Sequence, residues 1–265
     1  MKARSGEYPR GGGRFVRGMD RLLVACYGDR TWSPRFFSLL DGLVHTILSQ
    51  NTSDVNSGRA FHALKERFPS WEEAASAPVS EMERAIRSGG ISRVKAERIR
   101  AILGILRERS GSYSLEFLRD MEADEALAYL LDLPGVGRKT AAVLLLFQLG
   151  YPLFPVDTHI LRVGKRLGLF PAGVSAERAH DIMDAAVPDD IKFRLHLNMI
   201  SHGRRVCRAR KPDCPACCLR KMCPRIGVAP LETWADAYGG TRVSLGGRGG
   251  NRASSGRGGL SGKGE

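Results

Sequence analysis

The sequence lacks the features that mark membrane and secreted proteins. In its 265 residues no apolar run approaches the length of a membrane span, and residues 1–20 lack the apolar core of a signal peptide. We therefore expect a cytoplasmic, nucleoid-associated protein. Structural disulfides are rare in a reducing compartment, so clustered cysteines there predict a metal site rather than crosslinks.

The regular alternation of apolar and polar residues that marks exposed strands is also missing. Apolar residues recur instead at three- and four-residue spacing, as at Ile99, Ile102 and Leu106, which is the period of an amphipathic helix. The pattern continues on both sides of the segment 131–161. The sequence therefore predicts an all-α protein.

Acidic residues are too few to balance the basic ones. The 28 Asp and Glu face 41 Lys and Arg, which gives a net charge of +13. Such a surplus predicts a polyanionic partner, most simply nucleic acid. The ends are biased as well. Residues 1–18 predict a basic, disordered arm, and residues 239–265 predict a disordered tail rich in Gly, Arg and Ser.

The segment LPGVGRKTA, residues 133–141, predicts a helix, a glycine hairpin and a second helix. Pro134 prevents a simple continuation of the preceding helix, and Gly135 and Gly137 can adopt positive φ and allow close approach to the backbone. The free amides at the start of the second helix are a natural seat for a phosphate. We expect Gly135, Val136 and Gly137 to contact DNA, although the same residues are compatible with an ordinary interhelical turn.

Lys139 and Asp157 are the candidate catalytic residues. Lys139 falls in the first turn of the second helix, where the helix dipole and neighbouring apolar residues favour a neutral, nucleophilic amine. Asp157, in the segment PVDTHI, could orient or deprotonate that amine. Taken alone, Lys139 is compatible with a phosphate contact and Asp157 with a helix N-cap. The cap and a catalytic role do not exclude each other.

Two short loops offer further DNA contacts. Residues 49–54 place six polar residues in a row after an apolar helix, and the amides of Gln50 and Asn51 could read base edges or fill a gap in a duplex. The alternative is that Ser53 or Asp54 simply caps the next helix. Residues 88–92 form a tight turn in which Ile91 is either a core residue or a wedge for a base stack.

Four of the six cysteines lie close together near the end of the helical region. Cys207, Cys214, Cys217 and Cys223 have the spacing C-x6-C-x2-C-x5-C, which is able to enclose one metal centre. The residues alone leave a 4Fe–4S cluster and a zinc site open. Cys218 is adjacent to a ligand and could compete with it.

The loop between the first two cysteines is basic. Arg208, Arg210 and Lys211 would form a phosphate-contacting surface pinned by the metal. Cys26 lies far from the cluster in the sequence, and we expect it to be a buried thiol.

Together, LPGVGRKTA, VDTHI, SHGRRVC and the four-cysteine spacing resemble the endonuclease III family of DNA glycosylases, in order and across roughly residues 20–225. The resemblance implies two helical lobes with DNA in the cleft between them. One lobe would be a helical barrel with the helix-hairpin-helix motif over residues 32–150. The other would combine residues 19–31 with residues 151–226 and carry a 4Fe–4S cluster on the four cysteines.

The resemblance also implies an activity on double-stranded DNA that contains damaged bases or abasic sites. Lys139 would attack the sugar of a flipped oxidised pyrimidine such as thymine glycol and form a Schiff base, and Asp157 would assist; β-elimination would then cleave the strand. The family usually has glutamine where we align Asn51, and leucine where we align Ile91. A monomer is expected. The alternatives are a monofunctional mismatch or uracil/thymine glycosylase, an adenine glycosylase and a non-catalytic DNA-binding module.

Overall fold

The computed structural model describes residues 12–228 except 35, 37 and 172, and in this part of the chain it contains helices and no strand. The predicted all-α class is confirmed. The α-helices are Gly13–Tyr27 (α1), Leu39–Leu48 (α2), Asp54–Arg67 (α3), Trp71–Ser76 (α4), Val79–Ala85 (α5), Ser92–Ser110 (α6), Ala123–Leu131 (α7), Arg138–Leu144 (α8), Thr158–Leu167 (α9), Ala176–Ala186 (α10) and Lys192–Arg205 (α11). None of these helices has the length and apolarity that a membrane crossing requires.

The first helix begins earlier than the sequence predicts. The expected disordered arm covered residues 1–18, but α1 starts at Gly13 and Val16 on its first turn is fully buried. The glycine-rich composition of this segment made the apolar face of α1 hard to recognise in the sequence. That face packs in the second core described below. Residues 1–11 and the predicted tail at 239–265 lie outside the described residues.

The helices enclose two hydrophobic cores. The first core is built from α2 to α8 and contains Leu43, Ile47 and Ile99. The second joins α1 to α9, α10 and α11, so residues near both ends of the described chain pack together. The chain passes from the first core to the second between Leu153 and Phe154. This crossing lies three positions before Asp157.

Side-chain caps define several helix starts. Ser38, Ser53, Ser70 and Ser175 each accept a hydrogen bond from an amide in the first turn of α2, α3, α4 and α10. These caps satisfy amides that have no partner within the helix. The cap at Ser53 shows that one of the six polar residues after α2 serves the start of α3.

Candidate active site

A cavity of about 290 Å³ lies where helices of the first core meet helices of the second, and both Lys139 and Asp157 line it. His45 and Thr46 of α2 and Ile200 of α11 also line it. The sequence offered Asp157 as a group that orients or deprotonates the Lys139 amine once the fold brings the two together. The structure brings them to one cavity although 18 positions separate them in the chain.

Lys139 occupies the second position of α8, directly after the hairpin, and its side chain is exposed. Its neighbour Arg138 is anchored on α10 by ion pairs to Asp181 at 2.7 Å and to Asp184 at 3.2 Å. These pairs fix the first turn of α8 against α10, a helix of the second core. Because Lys139 directly follows Arg138, its backbone is held close to α10.

Asp157 is the N-cap of α9, and its Oδ1 accepts a hydrogen bond from the amide of Ile160 at 2.7 Å. Among the described residues, Oδ2 has no hydrogen-bond partner. The cap orients the carboxylate because the helix start fixes one oxygen. The structural role that the sequence left open is thus present, and it leaves the second oxygen available to the cavity.

His196 is a cavity residue that the sequence analysis missed. Its Nδ1 lies 3.0 Å from the carbonyl oxygen of Pro155, and since a carbonyl only accepts, Nδ1 carries the proton. Burial lowers the pKa of His196 to about 4, so the ring is neutral at pH 7 and Nε2 is an acceptor. A lone histidine on an apolar helix face gives no signal in the sequence.

Gln148 is a second polar group of the cavity that the sequence did not reveal. It is buried, and its Oε1 accepts from the amide of Phe36 at 3.2 Å. Phe147 lines the same cavity and packs edge-to-face on His196, with ring centroids 5.5 Å apart. A cavity with aromatic walls and a few fixed polar groups suits a planar, polar guest such as a nucleobase.

The hairpin requires glycine at its first position. Gly135 has φ of +75°, and a Cβ there would lie 2.3 Å from Cδ of Arg98. A side-chain contact between Val136 and DNA would require an exposed side chain. Val136 is only 5% exposed and belongs to the first core. Any contact from Val136 must therefore come from its backbone. Gly137 is exposed and is the N-cap of α8.

The structure distinguishes Gln50 from Asn51. Nε2 of Gln50 donates to the carbonyl oxygen of Gly135 at 3.2 Å and to Oγ1 of Thr140 at 3.1 Å. Oε1 of Gln50 accepts from Arg98 at 3.1 Å. Asn51 is exposed and has φ of +55°, a backbone conformation that asparagine tolerates better than most residues. Gln50 therefore supports the hairpin, and Asn51 is the amide that faces outward.

Ile91 is not a core residue. Its side chain is 56% exposed, and its φ of +49° places it in the left-handed region just before α6. A β-branched residue in this region is strained, and such strain concentrates at functional positions. Of the two interpretations that the sequence left open, the structure excludes burial in the core.

The predicted metal ligands line one small cavity. Cys207, Cys214, Cys217 and Cys223 all contribute to it, beside the apolar side chain of Leu219. Burial raises the pKa of Cys217 to about 11, and the other three thiols add to this effect. In the described part of the chain, however, no group of three or more His, Cys, Asp or Glu is arranged closely enough to hold a metal ion.

Hydrogen-bond donors point at two of these sulfurs. Nη1 of Arg166 donates to Sγ of Cys207 at 3.3 Å, and the backbone amide of Arg225 donates to Sγ of Cys223 at 3.4 Å. N–H donors of this kind stabilise negative charge on sulfur. Sγ of Cys223 also donates to the carbonyl oxygen of Arg166 at 3.3 Å, so this cysteine is a thiol here, and the two N–H donors would stabilise the sulfur charge once a metal is bound.

Cys218 does not belong to the same cavity. Its thiol is hydrogen-bonded to the free thiol of Cys26, and burial, followed by this hydrogen bond, raises the pKa of Cys218 to about 12. Cys26 itself is exposed, so the predicted buried thiol was wrong. Its helix packs through the opposite face and leaves Cys26 on the outside. Adjacency in sequence did not make Cys218 a competitor of Cys217 for the cavity.

The basic loop after Cys207 is exposed, and Arg166 fixes its backbone by hydrogen bonds. Arg166 donates to the carbonyl oxygens of Arg208 at 2.7 Å and Ala209 at 3.0 Å. Arg208, Arg210 and Lys211 are all exposed. A rigid loop with exposed basic side chains is suited to phosphate contacts.

The chain is similar to known DNA repair proteins. The profile of the HhH-GPD superfamily base excision DNA repair proteins matches residues 44–188. An Arabidopsis thaliana protein whose name places it among the DNA glycosylases is 38% identical over 174 residues, which cover 66% of this chain but only 59% of that protein. Endonuclease III of Thermotoga maritima is 34% identical over 181 residues, which cover 68% of this chain and 80% of that protein.

A solved structure gives the same result. A trapped covalent intermediate of endonuclease III with DNA matches with a TM-score of 0.70 and 29% identity, over 80% of this chain and 96% of that chain. The arrangement of helices is therefore similar to that of a DNA-bound protein.

Proposed function

We propose that this chain, which belongs to the HhH-GPD superfamily of base excision DNA repair proteins and is similar to endonuclease III, is a DNA glycosylase with AP lyase activity. The observation that carries the proposal is that Lys139 and Asp157 line one cavity between the lobes. An amine beside a carboxylate in such a site is suited to nucleophilic attack on a sugar carbon. The covalent intermediate solved for a similar protein supports this chemistry.

Recognition would begin with extrusion of the damaged base into the cavity, because its glycosidic carbon is shielded in the stack. Ile91 would enter the stack as a wedge, and Asn51 would occupy the space that the base leaves. The hairpin amides and the basic loop would hold the phosphates. The neutral His196 and the buried Gln148 would offer hydrogen bonds to the edge of the flipped base.

The chemistry would proceed in two stages. The lone pair of Lys139 Nζ attacks C1′ of the sugar, the glycosidic bond breaks, and the base leaves with its bonding electrons and gains a proton. Asp157 accepts a proton from the amine or stabilises the positive charge that develops on the sugar. Opening of the sugar ring gives a Schiff base, loss of a C2′ proton follows, and the bond from C3′ to its phosphate oxygen breaks.

We propose oxidised pyrimidines such as thymine glycol as substrates. We also propose that Cys207, Cys214, Cys217 and Cys223 hold a 4Fe–4S cluster. The hydrogen-bond donors at Cys207 and Cys223 and the shared cavity support this assignment. The cluster would have a structural role, because its loop carries the exposed basic residues.

The test is borohydride trapping on a thymine glycol duplex and on an abasic duplex. The wild type should give a covalent adduct on both, and Lys139→Ala should give none while still binding the abasic duplex. Lys165→Ala, which removes a lysine outside the cavity, is the control and should trap normally. An adduct on the abasic duplex alone would support the lyase activity but would refute oxidised pyrimidines as the substrate. Adducts that persist in Lys139→Ala would remove Lys139 from the mechanism.

A further inference from the structure

Lys95 is a buried lysine that connects two loops on the proposed DNA-facing side. Its side chain is 2% exposed, and Nζ donates to the carbonyl oxygen of Leu48 at 2.7 Å and to that of Gly89 at 2.8 Å. Leu48 ends α2 immediately before the polar loop that carries Asn51. Gly89 ends a short 3-10 segment two residues before Ile91. One ammonium group thus joins the roots of both loops.

The two carbonyl groups suit this cation. Each ends a helical segment, where carbonyls lack partners within the helix and carry partial negative charge. Burial lowers the pKa of Lys95, and the nearby Arg98 adds to this effect. Removal of the ammonium group would leave two buried acceptors without their donor, which is costly. Position 95 therefore requires a side chain that donates hydrogen bonds to these two carbonyl groups.

The turn at Gly89 packs closely on α3 and lies near the end of α2. A Cβ on Gly89 would lie 3.1 Å from Cβ of Ala60 and 3.9 Å from the carbonyl oxygen of Leu48. Gly89 is buried, whereas Ile91 two residues later is exposed. Small changes at the root of the turn would therefore be transmitted directly to Ile91.

Arg98 extends the same arrangement to the hairpin. It lies one turn after Lys95 on α6 and donates to Oε1 of Gln50 at 3.1 Å. Gln50 in turn donates to the carbonyl oxygen of Gly135 at 3.2 Å. Helix α6 thus connects the wedge turn, the polar loop and the hairpin through two basic side chains, although these three segments are far apart in the sequence.

We propose that Lys95 is a positioning residue that fixes the distance between Asn51 and Ile91, so that both side chains enter the duplex in register as the base leaves it. This inference rests on the proposed glycosylase function. The insertion of a wedge and the filling of a vacant position must occur at the same base step. A displacement of about 1 Å between interacting groups is enough to cost on the order of 10²-fold in rate.

The test compares Lys95→Met with Arg100→Met. Arg100 lies on the same helix and also donates to a backbone carbonyl, that of Ala77, but away from the two loops. Lys95→Met should slow excision from a thymine glycol duplex by about 10²-fold. It should also abolish the fluorescence rise of 2-aminopurine placed opposite the lesion. Trapping on a single-stranded abasic oligonucleotide should remain, since no base needs to be extruded there.

Amide hydrogen exchange on the free protein gives a readout independent of activity. Lys95→Met should accelerate exchange in residues 49–51 and 89–91 together, whereas Arg100→Met should leave both loops unchanged. Unchanged exchange in Lys95→Met, or equal loss of activity on duplex and single-stranded substrates, would overturn the inference. A wild type that neither excises nor traps would refute the proposed function, and the exchange data would still decide whether Lys95 orders the loops.

Discussion

Asp157 and Ile160 are joined by a hydrogen bond of 2.7 Å that caps α9, and the same carboxylate lines the cavity that contains Lys139. One oxygen of the Asp157 side chain thus stabilises the helix, while the carboxylate also lines the cavity. Asparagine caps helices about as well as aspartate but has no charge. The two roles can therefore be separated by substitution.

For Asp157→Asn we expect nearly unchanged stability but base excision slower by about 10²–10⁴-fold, because the proton acceptor is lost. Asp157→Ala should lose the same activity and in addition about 1 kcal/mol of stability through the missing cap. Chemical denaturation and single-turnover excision measure the two effects. Full activity in Asp157→Asn would reduce Asp157 to a cap.

For Ile91→Gly we expect opposite changes in stability and activity. Glycine relieves the strain of φ at +49°, which should stabilise the fold by about 1 kcal/mol. The loss of the exposed apolar side chain should slow excision from duplex DNA. Val94→Ala, which trims another exposed apolar residue at the start of α6, is the control and should change neither quantity much. Unimpaired excision by Ile91→Gly would argue against a wedge.

Gln50 and Asn51 should respond differently to alanine. Gln50→Ala removes hydrogen bonds to Gly135, Thr140 and Arg98 and should destabilise the protein by about 1 kcal/mol. Asn51→Ala should lose stability only through the strain of alanine at φ of +55°, which Asn51→Gly avoids, and both variants should slow excision and alter its dependence on the opposite base. Excision from duplexes with each of the four opposite bases would show this. Equal behaviour of the two variants would contradict the division of roles.

Purified protein should be brown and contain iron and sulfide. Cys214→Ser should lose both and unfold more readily, because metal binding free energy contributes to folding. Cys218→Ser should keep the cluster, since Cys218 does not line the cavity of the other four thiols. Iron analysis and visible absorbance are the measurements. Colourless protein that contains only zinc would refute the cluster.

Stability should fall as the pH decreases from about 6.5 towards 4. Burial lowers the pKa of both His180 and His196 to about 4, so the unfolded chain binds protons that the folded chain does not. Each histidine would contribute a loss of about 3 kcal/mol over this range. Asp184 acts in the opposite sense, because burial raises its pKa. Denaturation curves at several pH values, with His180→Gln showing a smaller loss, provide the check.

The sequence by itself determined the local features. The helical period set the fold class, Pro134 and Gly135 set the hairpin, and Ser53 set the start of α3. Each depends on residues within a few positions of one another, whose backbone preferences and side-chain hydrogen bonds act locally. The order of LPGVGRKTA, VDTHI and the cysteines also sufficed to indicate the family that the comparisons then showed.

Only the tertiary structure decided which side chains meet. It placed Lys139 and Asp157 at one cavity, added His196 to them, and turned Cys218 towards Cys26. It also buried Val136 and put Lys95 between two loop roots, 47 and 6 positions away in the chain. Such contacts depend on the packing of distant helices, and neither local period nor residue type records which faces come together.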